Sequence, residues 1–173
     1  MINIINQILK EQYLNNILKR GKDEILGYKL NFLQKEFFNK DKEIVLINKP
    51  SRQVGASIGC VLKAIELAIK NNNTKTLLLA RSKNNVKYLY YSTMEILKKN
   101  NIEYLTKDSM CVLEIILLNG SSIKFESCFG KDRLRGEKTD YLIADEIEKG
   151  RNKAYYLDII LSDIKYEQAY CID

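Results

Sequence analysis

Apolar positions along the chain follow two rhythms. One recurs every three to four residues, as on one face of a helix, and the other forms short unbroken runs of strand length. The helical rhythm comes first. Ile5, Ile8, Leu9, Tyr13, Ile17 and Leu18 share a face and predict an amphipathic helix over 2–19, which Gly21 ends. A shorter helix is expected over 31–39, burying Phe32, Leu33, Phe37 and Phe38. Then EIVLI, 43–47, is a continuous apolar run between polar neighbours, the pattern of a strand covered on both faces. A loop, 48–55, separates it from ASIGCVLKAIELAIK, 56–70, a helix with Ile58, Val61, Leu62, Ile65 and Ile69 on its apolar side.

The two rhythms keep alternating. Asn71 to Asn73 break the helix, and KTLLLA, 75–80, reads as a second buried strand. Ser82 is placed to cap a helix running through 97. VLEIILL, 112–118, and SSIKFES, 121–127, read as strands joined by Asn119-Gly120, the strongest short hairpin signal. The loop CFGKDRLRGEKT leads to DYLIADE, 140–146, an apolar strand ending in two acids. A helix is expected over 155–164, and QAYCID, 168–173, reads as a last strand. Strands alternating with helices predict an α/β fold, a mostly parallel sheet with helices on both faces. Ligands of such sheets sit at the carboxyl ends of the strands. Both unusual polar clusters, 49–57 and 145–148, fall at such ends.

Composition narrows the chemistry. A chain of 173 residues suits one domain with a real core. Its apolar runs are far shorter than the ~20 residues a membrane-spanning helix needs. The N-terminus lacks the parts of a signal peptide, so a cytoplasmic protein without a membrane partner is expected. There is no histidine, which excludes Ser-His and Cys-His catalysis and leaves acid-base work to carboxylates. Four cysteines, Cys60, Cys111, Cys128 and Cys171, lie far apart with no C-x-x-C pair, so buried, reduced thiols are favoured over a zinc site. A net charge of +6 is compatible with a polyanionic partner. Richness in Lys, Asn, Ile and Tyr accounts for that charge equally well.

The stretch INKPSRQVGASIGC, 47–60, carries the first candidate site. A phosphate-binding loop reads G-x-x-x-x-G-K-[ST]. Gly55 and Ser57 fit its end, but Ala56 stands where the lysine belongs and Pro50 where the first glycine belongs. A helix starting near Ala56 aims unpaired N–H groups and a positive dipole end at the loop before it. Gly55 lets backbone approach an anion, and Ser57 offers a hydroxyl to Mg²⁺. Lys49 and Arg52 lie in the same loop and are candidates for the displaced cation. The competing reading is a plain strand-helix turn with a glycine, the commoner origin of so degenerate a match. The second cluster is Asp145 and Glu146. One carboxylate at the end of a neighbouring strand holds Mg²⁺ in such enzymes, and one beside it polarises water as a general base. The competing reading is a strand ending in solvated acids. The two clusters together, in order and after the strands each requires, are more specific than either.

EIVLI followed by RQVGAS, then KTLLLARS, then LRGEKTDYLIADEIE resembles the ATPase domain of large terminase subunits, the DNA-packaging motors of tailed phages. The resemblance covers about residues 30–150. It implies a P-loop NTPase fold of the RecA/ASCE type, with ATP held by Lys49, Pro50, Ser51, Arg52, Gln53, Val54, Gly55, Ala56 and Ser57. It also implies Arg52 on the phosphates, Ser57 and Asp145 on Mg²⁺, and Glu146 as the catalytic acid. Gln34, in FLQKEFF, matches the family's adenine-contacting glutamine. Arg133 and Arg135, around the L-R-G, would face DNA, a neighbouring subunit or the loop itself; a solvated charged loop is the other reading. Implied partners are double-stranded DNA and a homo-oligomeric ring with portal and small terminase subunit.

The chain departs from that family twice. Ala56 replaces the lysine, which leaves slow or absent hydrolysis open. EQAYCID sits where a coupling strand should be, and the remaining motor elements and the nuclease domain do not follow. The expected organisation is a helical segment over 1–40 bearing the adenine-side glutamine and a partial ATPase core over 41–173, as in a fragment or split gene. Two other functions fit the same residues: a helicase-like ATPase, and a non-catalytic nucleotide- or DNA-binding module.

Overall fold

The computed structural model describes residues 24–39, 44–47, 55–109, 112–128, 134, 136–145, 166 and 168–172. Two short strands, β1 (Glu24–Ile25) and β2 (Tyr28–Lys29), precede helix α1 (Phe32–Asn39). Then come β3 (Ile44–Ile47), α2 (Ala56–Lys70), β4 (Lys75–Ala80) and α3 (Lys83–Lys99). The remaining strands are β5 (Tyr104–Asp108), β6 (Leu113–Leu117), β7 (Ser122–Ser127), β8 (Tyr141–Asp145) and β9 (Gln168–Ile172). Seven strands form one sheet in the order β3-β9-β8-β4-β7-β6-β5. From β3 to β7 neighbours are parallel. Strands β6 and β5 then add an antiparallel edge. The expected α/β fold with a mostly parallel sheet is the observed one. The predicted helices over 2–19 and 155–164 lie outside the described residues.

Side-chain alternation along the central strands makes two cores. Leu78, Ala80, Ile143, Phe125 and Tyr170 face α2 and α3 in the main cluster. Leu77, Leu79, Leu142, Ala144 and Ala169 face the opposite way, with Cys128 and Leu134. The long described helices thus pack on one face of the sheet. Helix α2 is buried almost all round, from Gly59 to Ile69, rather than along one stripe. Its burial includes a charge pair: Lys63, 5% exposed, and Glu66, 7% exposed, sit 3.1 Å apart. The Lys63 ammonium also lies 5.2 Å from the Phe38 ring centre and 4.8 Å from that of Tyr170. It therefore ties α2 to both α1 and β9 through ring faces as well as through the ion pair.

Three local expectations change. Phe32, expected in the core, is 79% exposed. Helical geometry explains it, because Gln34 and Phe38, four apart, take the inward face and a residue two before Gln34 points nearly the other way. The hairpin β1–β2 was not expected; two-residue strands give no periodic signal, and the turn rests on Leu26 and Gly27 at φ 52 and 77. Strand β5 was not expected either, since YLTKD is mostly exposed and shows no alternation. The Asn119-Gly120 hairpin forms as expected. Gly120 supplies the left-handed residue, φ 83, after a turn closed by its N–H on the Leu117 carbonyl at 3.0 Å.

Candidate functional site

Strand register builds the site's frame. Ile47 pairs with Ile172, Ile172 with Asp145, Asp145 with Ala80, and Ala80 with Ser127. These five residues form one row across the carboxyl end of the parallel sheet. The strand leading to the phosphate-loop segment and the strand ending in Asp145 are separated by β9 alone. Two strand spacings put Ile47 and Asp145 about 9.5 Å apart. Asp145 is 2% exposed at this edge. A buried carboxylate at a strand's carboxyl end is a hard oxygen donor of the kind Mg²⁺ takes.

Helix α2 begins at Ala56, with Gly55 as its N-cap at φ 70 and no side-chain cap bond. The first-turn N–H groups of this helix are thus left for a loop or an anion. By contrast, α3 is capped by Ser82, whose hydroxyl accepts the Asn85 N–H. Ala56 is buried in the main cluster, and Ser57 beside it is half-buried. A side chain at 56 faces the core.

Gln34 meets this junction. Its Nε2 donates to the Gly55 carbonyl at 2.9 Å. Its Oε1 accepts the Asn31 N–H at 2.9 Å, while the Gln34 N–H donates to Asn31 Oδ1 at 3.0 Å. The last two bonds are a reciprocal capping box at the start of α1. Asn31-x-x-Gln34 ahead of an apolar segment is the sequence signature of such a box, and it could have been read from the chain alone. The expected adenine contact falls on a side chain that is 7% exposed and engaged at both ends of its amide.

The L-R-G loop is partly a structural device. Leu134 is buried in the second cluster, and Gly136 turns the chain at φ 76. Glu137 then pairs with Lys124 on β7 at 2.8 Å. Lys49, Pro50, Ser51, Arg52, Gln53 and Val54 of the loop, Glu146, and Arg133 and Arg135 lie outside the described residues. Within them, the fold brings Gln34, Gly55, Ala56 and Ser57 together at the start of α2 and sets Asp145 on the same sheet edge.

Cys128 was not singled out as a site residue, yet it joins this edge. Its N–H donates to the Ala80 carbonyl at 2.9 Å. Burial pushes its thiol up to about 12, the Asp145 carboxylate adds to that, and a backbone hydrogen bond opposes it. Cys128 is thus a protonated thiol near the acidic strand end. Cys60, within α2, is a second buried thiol outside any disulfide.

No protein-family model matches the sequence, and no curated protein matches it. Solved structures do. The large terminase ATPase domain of Thermus phage P74-26, in a mutant form, superposes with a TM-score of 0.65 at 16% identity, over 86% of this chain and 66% of that one. The HK97 bacteriophage large terminase gives a TM-score of 0.65 at 14% identity, over 94% of this chain and 37% of that one. The large terminase of a thermophilic bacteriophage, in complex with ATP-gamma-S, gives 0.54 at 12% identity, over 94% and 36%. The chain therefore spans just under two thirds of an isolated terminase ATPase domain and little more than a third of the longer terminase chains. No described helix is long and apolar enough to cross a membrane. At the level of fold, the chain is similar to the ATPase domain of phage large terminases.

Proposed function

We propose that this chain is the nucleotide-binding part of a terminase-like ATPase, which binds ATP at the carboxyl edge of its sheet and couples hydrolysis to packaging of double-stranded viral DNA. The observation that carries the reading is the register row. It sets the exit of β3, from which the degenerate phosphate loop departs, two strands from the buried Asp145. The fold likeness to terminase ATPase domains supports it.

In this reading the loop 49–57 wraps the phosphates, with Arg52 as the displaced cation and Lys49 beside it. Backbone N–H groups at Ala56 and Ser57 face the anion, and the helix dipole favours its charge. Ser57 and Asp145 would hold Mg²⁺; the donor set, a hydroxyl and a buried carboxylate, suits a hard cation. That ion, when bound, neutralises charge on the phosphate oxygens. Glu146, the residue after Asp145, would take the proton of the attacking water. Double-stranded DNA, a portal, a small terminase subunit and a ring of like chains are the partners this reading brings.

The test is binding of a fluorescent ATP analogue with and without Mg²⁺, followed by hydrolysis with and without duplex DNA. The wild-type chain is expected to bind in a Mg²⁺-dependent manner. Asp145→Asn should remove the Mg²⁺-dependent part, and Glu146→Gln should stop turnover while keeping binding. Absence of Mg²⁺-dependent binding by the wild type would sink the reading. Binding without turnover, with or without DNA, would favour a non-catalytic nucleotide module, a result Ala56 makes worth seeking.

A further inference from the structure

We propose that the free edge of β5 is a pairing surface for a second copy of this chain, and that two sheets join there as antiparallel strands centred on Leu105. Strand β5 lies at the end of the strand order opposite β3, so the inference goes beyond the nucleotide-site reading and does not depend on it.

Its basis is an open edge. Strand β5 has β6 on one side and no described strand on the other. Its register with β6 is unbroken from Tyr104 to Asp108, and the strand holds no proline. Bulges, prolines and charges are the usual devices that blunt such an edge. The cation here is Lys107, which already pairs with Glu114 at 3.0 Å. Leu105 is 64% exposed on the same face of the strand, and Leu118, just past β6, is 54% exposed. Tyr104 and its partner Leu117 alternate with these residues and belong to the main cluster. Leu105 and Lys107 are therefore on the sheet face turned away from α2 and α3.

Main-chain bonds decide which groups of β5 are open. The Leu117 N–H donates to the Ser121 carbonyl at 2.8 Å, across β6 and β7. The Ser109 N–H donates to the Val112 carbonyl at 2.9 Å, across β5 and β6. In an antiparallel ladder the N–H and C=O of one residue point to the same neighbour, and successive residues alternate. Glu114 and Ile116 thus bond toward β5, where they meet Lys107 and Leu105. Tyr104, Thr106 and Asp108 turn their N–H and C=O groups outward.

Those outward groups limit how two copies meet about a two-fold axis through the sheet. With the axis at Leu105, Tyr104 pairs with Thr106 of the second copy and Thr106 with its Tyr104. Each pair exchanges two N–H···O bonds. Leu105 then faces Leu105 of the second copy in a non-hydrogen-bonded pair, where side chains come closest. Glu103 faces Lys107 of the second copy at one end, and the reverse holds at the other, so opposite charges meet twice. Lys107 selects this register instead of blocking it. With the axis at Tyr104 or at Thr106, Leu105 would face Glu103 or Lys107 of the second copy instead. Among the described residues, α3 packs chiefly on β7, β4 and β6, inboard of β5.

The experiment follows the oligomeric state of the full chain by sedimentation, from micromolar to millimolar concentration. Two short edges make a small contact, so a reversible dimer that forms within that range is expected. Leu105→Lys sets like charges at the closest pair and should raise the dissociation constant by about tenfold or more. Lys107→Glu alone should weaken the dimer, and adding Glu103→Lys should restore it. Leu105→Cys should cross-link on mild oxidation, because Cα atoms of such a pair stand about 4.5 Å apart, within disulfide reach. Thr106→Cys, offset from its copy in this register, should not, and peptide mapping separates either link from those of the native cysteines. A chain that stays monomeric throughout would overturn the proposal, leaving the edge to a segment of this chain or to a different partner. An assembly of any size that folded Leu105→Lys leaves intact would overturn it too, as would equal cross-linking by the two cysteine variants.

Discussion

Replacing Gly55 by alanine separates two costs that the structure places on one residue. Gly55 sits at φ 70, a left-handed conformation that disfavours any side chain by about 1 kcal/mol. Its new Cβ would also stand 3.1 Å from Gln34 Nε2. The amide must then give by a few tenths of an ångström, which weakens its bond to the Gly55 carbonyl, a loss of up to about 1 kcal/mol. Gly136 provides the reference. It holds φ 76 with nothing among the described residues within 4 Å of an added Cβ, so alanine there is expected to incur the backbone strain alone. The expected losses of unfolding free energy are therefore up to about 2 kcal/mol for Gly55→Ala and about 1 kcal/mol for Gly136→Ala. For a chain of this size these correspond to midpoint falls of roughly 4–8 °C and 2–4 °C. Urea and thermal unfolding, followed by circular dichroism, measure both. In a Gln34→Ala background the cost at Gly55 should drop to that at Gly136, a coupling of up to about 1 kcal/mol. Equal costs at the two glycines in the wild-type background would show that the clip contributes nothing, and the account of the α1–α2 joint would fail.

Two further outcomes test the interior. Lys63→Met should cost about 3 kcal/mol, because it leaves the buried Glu66 with only Lys70, whose side chain is 51% exposed. Adding Glu66→Leu should recover most of that loss, and a double variant as unstable as the single one would refute the charge-based explanation. The Cys128 thiol titrates at about 12 in the fold against 9.0 for an ordinary one. Its contribution is intact below pH 9.0 and declines as pH rises from there toward 12, with a slope approaching 1.4 kcal/mol per pH unit. Urea midpoints should fall across that window, and Cys128→Ala should flatten the fall. A residual decline above pH 10.0 is expected from Tyr90, whose hydroxyl is pushed up by burial and by Asp108.

What the sequence disclosed depended on how far each feature reaches along the chain. Helix α2 and strands β4, β7 and β8 were legible because fifteen or fewer consecutive residues carry their whole pattern. The Ser82 cap and the Asn119-Gly120 turn are equally local. Strand β5 left no trace because its partner, β6, is what makes it a strand, and its own side chains face water. The order of strands was beyond any window, since β9, the last described strand along the chain, lies between β3 and β8. That placement is what spaces Ile47 from Asp145, so the separation of the two polar clusters was invisible even though both clusters were plain.

Gln34 shows the same division inside one side chain. Half of its role is local: a glutamine three residues after a capping asparagine closes a box at the helix start. The other half is a bond to Gly55, 21 residues away, which exists only because α1 packs on α2. The family resemblance implies an adenine contact for the same amide, since resemblance matches residue types and not the bonds they already make. The two glycines that admit the side chain, Gly55 and Gly59, read in the sequence as parts of a phosphate motif and of a helix, respectively. In the fold they also make room for one tether. Because the Gln34 amide keeps a second N–H and a second lone pair, an adenine contact and that tether can coexist.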